Sequence, residues 1–409
     1  MLKIIAPTLA VAFLAVLVMT GGSPVTASNT DNFPRPDGLT VHEWGTFTTV
    51  AGLDGRPIEW LPLGGPADLP CFVEHFDNNP FIKSAPNWGA QLSYADARSR
   101  LKAKVRMETP VLYFYAPREQ TVNVKVDFRG GLVTEWYPKA TVSQMAVQEK
   151  TLSEKGGGSN IEWKNVKITP DSKAKFQSDG RPSHYYTARE TEAAPVQAAG
   201  KDEKFLFYRG IGNFEVPISA QVTSAGKILV TASSGDAIPA IVLFENRGGK
   251  IGYRVHGAFQ GELKLDIPEL GSDARSLQSE LEEMLTASGL YAKEAQAMVK
   301  TWRDSWFEEG TRLFYIVPKH TVDTILPLRV DPSPAHAARS FVGRMEVITP
   351  AIVKTVQDAI SANDTATLTK YARFLGPITD RIERKDARTQ ALLDSTYKAF
   401  LGEVAAGCR

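Results

Sequence analysis

The most distinctive chemical segment of the chain is Val41-His-Glu-Trp-Gly-Thr-Phe-Thr48, which places an imidazole, a carboxylate and an indole in three consecutive residues. In a β-strand, His42 and Trp44 share one face and Glu43 occupies the other. If the first face lines a cleft, His42 can act as a general base or a metal ligand, with Trp44 as a stacking platform. The alternative is structural: Trp44 lies in the core, His42 is hydrogen-bonded beside it, and Glu43 faces solvent.

Two further polar segments contain residue types that can do acid–base chemistry or bind a ligand. His184, Tyr186 and Arg189 fall within one polar, aromatic loop. Glu308 and Glu309 fall at a predicted helix-to-strand junction, where paired carboxylates can share a proton or bind Ca²⁺. The alternatives are a surface turn for the first segment and a solvated helix end for the second.

Tryptophan often follows glutamate in this chain. Four of the seven tryptophans do so, in the pairs Glu43-Trp44, Glu59-Trp60, Glu135-Trp136 and Glu162-Trp163. Carboxylates near indoles are typical of carbohydrate sites, where rings stack on sugar faces and acids bind hydroxyls. The alternative is a strand that points each Trp into the core and each Glu to solvent. Separately, Glu108 and Arg209 lie at the edges of very apolar segments, which favours a structural ion pair.

Charge and motifs exclude several classes of protein. The 47 Lys and Arg against 46 Asp and Glu give a net charge of +1, which excludes a generic basic nucleic-acid binder. The Gly-x-Ser-x-Gly elbow, the His-Glu-x-x-His zinc motif and the P-loop are all absent from the sequence. The six histidines include no close pair, and two cysteines cannot form a four-cysteine site. We therefore predict no metal site and no cofactor; Ca²⁺ would suit carboxylates in an exported protein, but no spacing requires it.

The N-terminus has the pattern of a cleavable signal peptide. Lys3 precedes an apolar run from Ile4 to Met19, and small residues Val25 and Ala27 stand at the −3 and −1 positions of a cleavage site after Ala27. The run is shorter than the roughly 20 residues of a spanning helix. We expect an exported protein, periplasmic or secreted, with no membrane span after signal cleavage.

Both cysteines of the chain, Cys71 and Cys408, lie in the expected mature part. In an oxidising compartment they can pair and tie the C-terminus to the N-terminal region. The alternative is two unpaired residues, with Cys71 buried and Cys408 on a frayed end.

Strand patterns dominate the first two thirds of the chain. Residues 111–115 form a continuous apolar run, 121–128 alternate apolar and polar residues, and 132–137 return after a Gly-Gly turn, which together predict an antiparallel meander. Residues 244–250 have the pattern of a hairpin. Further strands are predicted near 312–317, 322–330 and 341–348. These patterns favour an antiparallel β-sandwich over a parallel α/β sheet.

Helical periodicity appears in two places, after residue 271 and after residue 350. We predict a mainly β fold with α additions: a sandwich-like body, a helical hairpin insertion and a C-terminal helical cap. The predicted parts are a signal peptide (1–27), a flexible lead-in (28–40), a β-rich body (41–271), the helical hairpin insertion (272–308), strands that complete the body (309–350) and the cap (351–409).

The segment His42-Glu-Trp-Gly-Thr-Phe-Thr48 resembles a motif near the mature N-terminus of a group of uncharacterised exported bacterial proteins. Three later stretches are similar to that group as well: Met107–Tyr115, Ser305–Tyr315 and Val342–Val347. The resemblance spans most of the mature chain and implies export. It implies no catalytic residue.

Two functions remain open. The first is a β-sandwich binding or structural protein of the bacterial envelope, with a glycan or an envelope protein as its ligand. The alternative is an exported hydrolase, glycan-directed, that uses carboxylates with His42 or His184. The catalytic candidates are His42, Glu43, His184, Glu308 and Glu309, and the ligand-binding candidates are Trp44, Trp136, Tyr186 and Arg189.

Overall fold

The apolar patterns of the sequence form strands that assemble into three sheets, with helices added at intervals. The structure is a computed structural model that describes residues 36–65, 68–78, 92–145, 147–148, 152, 158–233, 235–382 and 386–402. The predicted signal peptide (1–27), most of the lead-in and Cys408 lie outside the described residues. Cys71 is disulfide-bonded, so the alternative of an unpaired Cys71 is wrong; its pairing with Cys408, the other alternative, stays a hypothesis.

The bounds of the elements are as follows. The strands are Thr40–Ala51 (β1), Glu74–His75 (β2), Val105–Tyr115 (β3), Gln120–Arg129 (β4), Gly131–Tyr137 (β5), Thr141–Ser143 (β6), Gly158–Ile168 (β7), Val196–Ala198 (β8), Lys201–Glu203 (β9), Leu206–Gly212 (β10), Ile218–Val222 (β11), Ile228–Ala232 (β12), Ile241–Arg247 (β13), Lys250–His256 (β14), Glu262–Leu265 (β15), Gly310–Ile316 (β16), Leu328–Asp331 (β17) and His336–Val347 (β18). The α-helices are Tyr94–Arg100 (α1), Ala274–Ala287 (α2), Ala292–Trp306 (α3), Lys319–Ile325 (α4), Pro350–Ala362 (α5), Thr365–Lys370 (α6), Leu375–Thr379 (α7) and Ala387–Leu401 (α8). Short 3₁₀ helices span Phe76–Asn78, His184–Arg189 and Ala372–Phe374.

The largest sheet has nine strands in the order β14-β13-β16-β18-β1-β3-β10-β5-β2. Its centre, β1 and β3, is buried along its whole length, as continuous apolar runs predict for strands covered on both faces. β1 pairs in parallel with β18 over twelve residues, from Thr40 with His336 to Ala51 with Val347. The other strand pairs of the described residues are antiparallel. The N-terminal motif segment therefore lies beside a strand nearly 300 residues later.

A second sheet covers one face of the first. It contains β17-β4-β7-β8-β9, with β6 beside β7, and a third sheet of β11-β12-β15 lies apart from both in hydrogen bonding. Alternate residues of β4 are buried, namely Val122, Val124, Val126 and Phe128. These side chains join residues of the nine-stranded sheet in one large core, and each fully buried apolar side chain contributes about 1.5–3 kcal/mol. The mainly β, sandwich-like prediction is confirmed.

The longer helices cover the other face of the nine-stranded sheet. Trp306 at the end of α3 packs on Phe314 of β16, with ring centroids 5.4 Å apart. Val50 of β1 belongs to a second apolar cluster together with Ile352 and Val356 of α5. The predicted helical hairpin and C-terminal helices are both present. Helix α3 and the C-terminal helices thus face the same side of the sheet, and the polar sites described below lie between these layers.

Two strand predictions are wrong, and a third is confirmed. β3, β4 and β5 do not form a meander, because β10 lies between β3 and β5 and β4 belongs to the second sheet. Residues 322–330 begin within α4 and only then enter β17. The hairpin at 244–250 is present, and Gly248 and Gly249 turn it with φ values of +62° and +79°, which glycine adopts without strain.

No helix among the described residues is both long and apolar enough to cross a membrane.

Candidate functional site

His42 is held between β1 and helix α3. Its Nδ1 lies 2.7 Å from Glu294 Oε2, and the Tyr115 hydroxyl donates to Glu294 Oε1 at 2.8 Å. The backbone N–H of Tyr291 donates to the same carboxylate at 2.8 Å. Burial, reinforced by the Glu294 charge, raises the pKa of Tyr115 far above its ordinary value. The cluster joins helix α3 to the nine-stranded sheet. His42 is thus buried and bonded within the protein, as the structural alternative predicts.

Glu43 points to the opposite face of β1 and is fully buried. Its carboxylate accepts from Arg339 Nε at 2.6 Å and from the Tyr208 hydroxyl at 2.6 Å. Arg339 also donates to Asp323 at 2.8 Å. His42 and Glu43 are therefore in separate clusters, and the structure does not bring them to one cleft.

The four predicted ligand-binding residues are either buried or bonded to other residues of the protein. Trp44 and Trp136 are 0% and 3% exposed, so neither ring offers a free face. The Tyr186 hydroxyl donates to Asp179 at 2.8 Å, and Arg189 donates to Glu203 at 2.9 and 2.6 Å. Arg189 also lies 4.8 Å from the ring centre of Tyr186. Of the glutamates in the four Glu-Trp pairs, Glu43 and Glu135 are buried in ion pairs rather than exposed to solvent.

Glu308 and Glu309, at the junction between α3 and β16, have side chains that bind different partners. Glu309 Oε1 accepts from the backbone N–H of Gly248 in the hairpin turn at 2.5 Å. Glu308 instead accepts from Arg344 Nη2 at 2.5 Å and lies 3.3 Å from Arg373 Nε. Arg312 fixes the junction, because its Nη1 donates to the carbonyl oxygens of both Trp306 and Glu308 at 2.7 Å.

A cavity of about 170 Å³ opens beside Glu308. We call it the arginine cavity; the charged residues and the histidine that line it are Asp68, Arg106, Glu108, His184, Asp304, Glu308 and Arg373, with Thr301 and Trp302 of α3. It brings His184 together with Glu308, two candidates that are distant in sequence. His184 is at the mouth, half-exposed, with Nε2 3.9 Å from Asp304.

The floor of the arginine cavity comes from the outer face of the nine-stranded sheet. Arg106 and Glu108 alternate with Val105 and Met107, which point into the core, so the charged pair faces the helices. Thr48 of β1 pairs with Arg106 on one side and with Arg344 on the other. Both neighbouring strands carry an Arg-Met-Glu sequence, at 106–108 and 344–346.

A local irregularity adjoins Glu108. Thr109 adopts φ +47°, a conformation that costs a non-glycine residue energy. The register between β1 and β3 shifts at this point, between Trp44 and Thr46, and the register between β10 and β3 shifts opposite it. Bulges of this kind redirect side chains and are over-represented beside functional sites.

Most carboxylates at the cavity are paired with arginines. Arg209 donates to Asp68 at 2.9 Å and to Glu135 at 2.7 Å. Burial would raise the pKa of Asp68, but Arg209 and Arg106 outweigh it and hold that pKa well below its ordinary value. Glu308 follows the same pattern: burial opposes ionisation, and Arg373, Arg344 and Arg312 lower its pKa. Both carboxylates are therefore ionised at neutral pH.

Several buried polar atoms on the cavity wall have no hydrogen-bond partner among the described residues. They are Trp302 Nε1 and Thr301 Oγ1, together with Arg106 Nε and Glu108 Oε1, which lie 3.6 Å apart, and Arg373 Nε, which lies 3.3 Å from Glu308 Oε1 in an ion pair without hydrogen-bond geometry. Arg106, Glu108, Thr301 and Trp302 are each at most 6% exposed. An unpaired buried polar group costs about 1–3 kcal/mol, so such groups are rare without a functional or solvent role. The wall thus offers hydrogen-bond donors and an acceptor toward the cavity.

Three residues of the site, Arg106, Arg344 and Arg373, are not predicted from the sequence. The signal for the first two was present: charged residues at every second position of a strand that is otherwise apolar predict a buried polar face. Arg373 lies in the C-terminal helical region, and no local pattern indicates that it faces the sheet. The predicted ion-pair role of Glu108 and Arg209 holds in part, since Arg209 pairs with Asp68 and Glu135, and Glu108 lies 3.6 Å from Arg106.

No cluster of three metal-ligating side chains occurs among the residues that the structure describes. No protein-family model matches the chain, and no curated protein is significantly similar to it. A function must therefore be inferred from the geometry of the arginine cavity.

Proposed function

We propose that the chain is an exported binding protein that takes a sugar residue of an envelope glycan into the arginine cavity. The observation that carries the proposal is the set of buried, unpartnered polar atoms on the cavity wall. The predicted signal peptide supports an envelope location. The β-rich scaffold holds Arg106 and Glu108 on β3, a fully buried central strand, which provides a rigid floor for recognition.

A sugar suits this wall because its hydroxyl groups both donate and accept hydrogen bonds. Glu108 Oε1 offers an acceptor, and the Arg106, Arg373 and Trp302 nitrogens offer donors. A cavity of about 170 Å³ is small, so it would admit a single sugar unit or a chain end rather than an extended polymer. His184 and Asp304 at the mouth would contact the next unit.

A thermal-shift screen of soluble envelope and plant oligosaccharides tests the proposal. A ligand present at 100 times its dissociation constant adds about 2.7 kcal/mol to stability, which raises the melting temperature by several degrees. We expect Glu108→Gln to abolish the shift in melting temperature. Glu309→Gln changes a carboxylate that contacts the hairpin turn and does not line the cavity, and it should leave the shift intact. If none of the oligosaccharides raises the melting temperature, the glycan proposal is contradicted, and the search turns to a protein partner.

Hydrolysis is the second candidate function, and one observation favours it: His184 and Glu308 line the same cavity. Because arginines lower the pKa of Glu308, that carboxylate would act as a base or nucleophile, and His184 would have to serve as the acid. Hydrolysis would be supported if the unmodified protein releases reducing sugar from a glycan and if Glu308→Gln and His184→Ala each abolish that release. Binding without turnover would favour the first proposal.

A further inference from the structure

We propose that the sugar bound in the arginine cavity is an acidic one, whose carboxylate or phosphate group lies between Arg106 and Arg373. This inference deepens the proposed function and rests on it. It identifies the chemical class of the ligand: a sugar that bears an oxyanion, in contrast to a neutral sugar.

Donors outnumber acceptors among the cavity-wall atoms that make no hydrogen bond. Arg106 Nε, Arg373 Nε and Trp302 Nε1 can only donate, and the Thr301 hydroxyl can do either, whereas Glu108 Oε1 is the single acceptor-only atom of the unpartnered set. A neutral sugar offers hydroxyl groups of mixed character. An oxyanion offers several strong acceptors at one point, and it would satisfy these donors together.

The carboxylates around the cavity do not hydrogen-bond to Arg106. Asp68 is bound by Arg209, and Glu308 is shared between Arg344 and Arg373, whose Nε lies 3.3 Å from it, so neither carboxylate is hydrogen-bonded to Arg106. Glu108 lies 3.6 Å from Arg106 Nε, which is beyond hydrogen-bond distance. Arg106 therefore lacks a hydrogen-bonded carboxylate among the described residues, although its side chain is almost fully buried.

Positive charges crowd around Arg106, although the cavity lining also holds the carboxylates of Asp68, Glu108, Asp304 and Glu308. Arg106 and Arg344 flank Thr48 in one rung of the sheet, and Arg373 approaches from the helical layer. Burial lowers the pKa of Arg106, and the charges of Arg209 and Arg373 lower it further, although Glu108 and Asp68 oppose them. A bound anion would relieve both the burial cost and the repulsion.

Calorimetric titration with paired sugars tests the inference. The probes are D-glucuronate and D-galacturonate for a carboxylate, glucose 6-phosphate for a phosphate, and D-glucose and D-galactose as neutral parents. We expect at least one acidic sugar to bind about tenfold or more tightly than its neutral parent, the effect of one charge-assisted hydrogen bond. Which acid binds identifies the oxyanion, and inorganic phosphate measures the contribution of the anion alone.

Two variants of helix α3 provide a matched comparison. Trp302→Phe removes an indole N–H from the cavity wall, and Trp306→Phe removes an equally unpartnered N–H one turn later that does not line the cavity. We expect the first to weaken acidic-sugar binding about tenfold and the second to leave it unchanged. Arg373→Gln should remove the preference for the acid while the melting temperature confirms folding.

The outcomes separate the two levels of the proposal. Equal affinity for acidic and neutral sugars would overturn the inference and retain the glycan proposal. Inorganic phosphate that binds as tightly as the acidic sugars would overturn it in favour of a free-anion site. Equal losses in Trp302→Phe and Trp306→Phe would place the sugar elsewhere, and no binding by any probe would overturn both levels.

Discussion

Arg106 and Arg344 pair with the same residue, Thr48, from opposite sides, so two guanidinium groups project from one rung of the nine-stranded sheet toward the helices. Neighbouring strands are about 4.8 Å apart, which separates the two backbones by about 10 Å. Arg344 contacts Glu308, whereas Arg106 has no hydrogen-bonded carboxylate among the described residues. This asymmetry makes the Arg106 side of the rung the candidate binding side.

The cluster around Glu294 should contribute to stability rather than to ligand binding. Glu294→Gln replaces one carboxylate oxygen by an NH₂ group that faces donors from His42, Tyr115 or Tyr291. We expect a loss of about 2 kcal/mol in the free energy of unfolding, measured by urea denaturation. Glu283→Gln on the exposed face of α2 should change it by less than about 0.5 kcal/mol, and ligand affinity lost in Glu294→Gln with stability unchanged would contradict the structural role.

The Glu43–Arg339 pair should be among the costliest to break, because both side chains are nearly fully buried. Glu43→Gln leaves the guanidinium with the more exposed Asp323 as its one remaining ion-pair partner among the described residues, and we expect a loss of about 3 kcal/mol. The comparison is Asp358→Asn, which breaks the exposed pair with Lys354 on α5 and should cost under about 1 kcal/mol. Equal losses for the two variants in chemical denaturation would be evidence against this account.

Acid should destabilise the protein through carboxylates that are paired with arginines at the arginine cavity or next to it. The pKa values of Asp68, Glu135 and Glu308 are lowered in the folded state by arginines that outweigh burial. Their contribution is therefore complete above the unfolded-state pKa, near 4, and is lost as pH falls from about 5 toward the lowered values. The slope is about 1.4 kcal/mol per pH unit for each extra proton that the unfolded chain binds.

Urea unfolding at a series of pH values measures this effect. We expect the free energy of unfolding to fall steadily below about pH 5, and Asp68→Asn to reduce the slope because it removes one of the three groups. A free energy that rises with acid, or a slope that Asp68→Asn leaves unchanged, would show that these ion pairs are not formed in solution.

Gly64 and Tyr397 should be coupled across the boundary between the body and α8. A Cβ on Gly64 would lie 2.1 Å from the Tyr397 hydroxyl oxygen, which has no partner among the described residues. We expect Gly64→Ala to cost about 1–3 kcal/mol and Tyr397→Phe to be nearly neutral, since it removes an unpaired hydroxyl. The double variant should recover part of the loss in thermal unfolding; strict additivity would mean that the two residues do not touch.

The sequence predicts the elements of this fold better than their pairing. The runs at β3 and β4 are both identifiable as strands, but the meander is wrong because sequence proximity does not reveal β10 between β3 and β5. The hydrophobic patterns of β3 and β4 do indicate that the two strands have different environments. β3 is continuously apolar, as a strand covered on both faces must be, whereas β4 alternates, as a strand with one exposed face does.

The site is less visible in the sequence than the fold. His184 and Glu308 are recognisable as titratable residues, but their shared cavity depends on how α3 packs against the 3₁₀ turn at His184–Arg189. Arg106 and Arg344 become neighbours only through the parallel pairing of β1 with β18, which joins segments nearly 300 residues apart. No local pattern encodes that pairing.

The central claim is that the arginine cavity holds the ligand, and the location of a bound sugar tests it most directly. The measurement is a crystal structure of the protein soaked with the sugar that binds most tightly in the titrations. The account predicts electron density in the cavity, with an oxyanion in hydrogen-bond contact with Arg106 and Arg373 and a hydroxyl group on Glu108. Density at another surface, with Arg106 and Arg373 uncontacted, would contradict it.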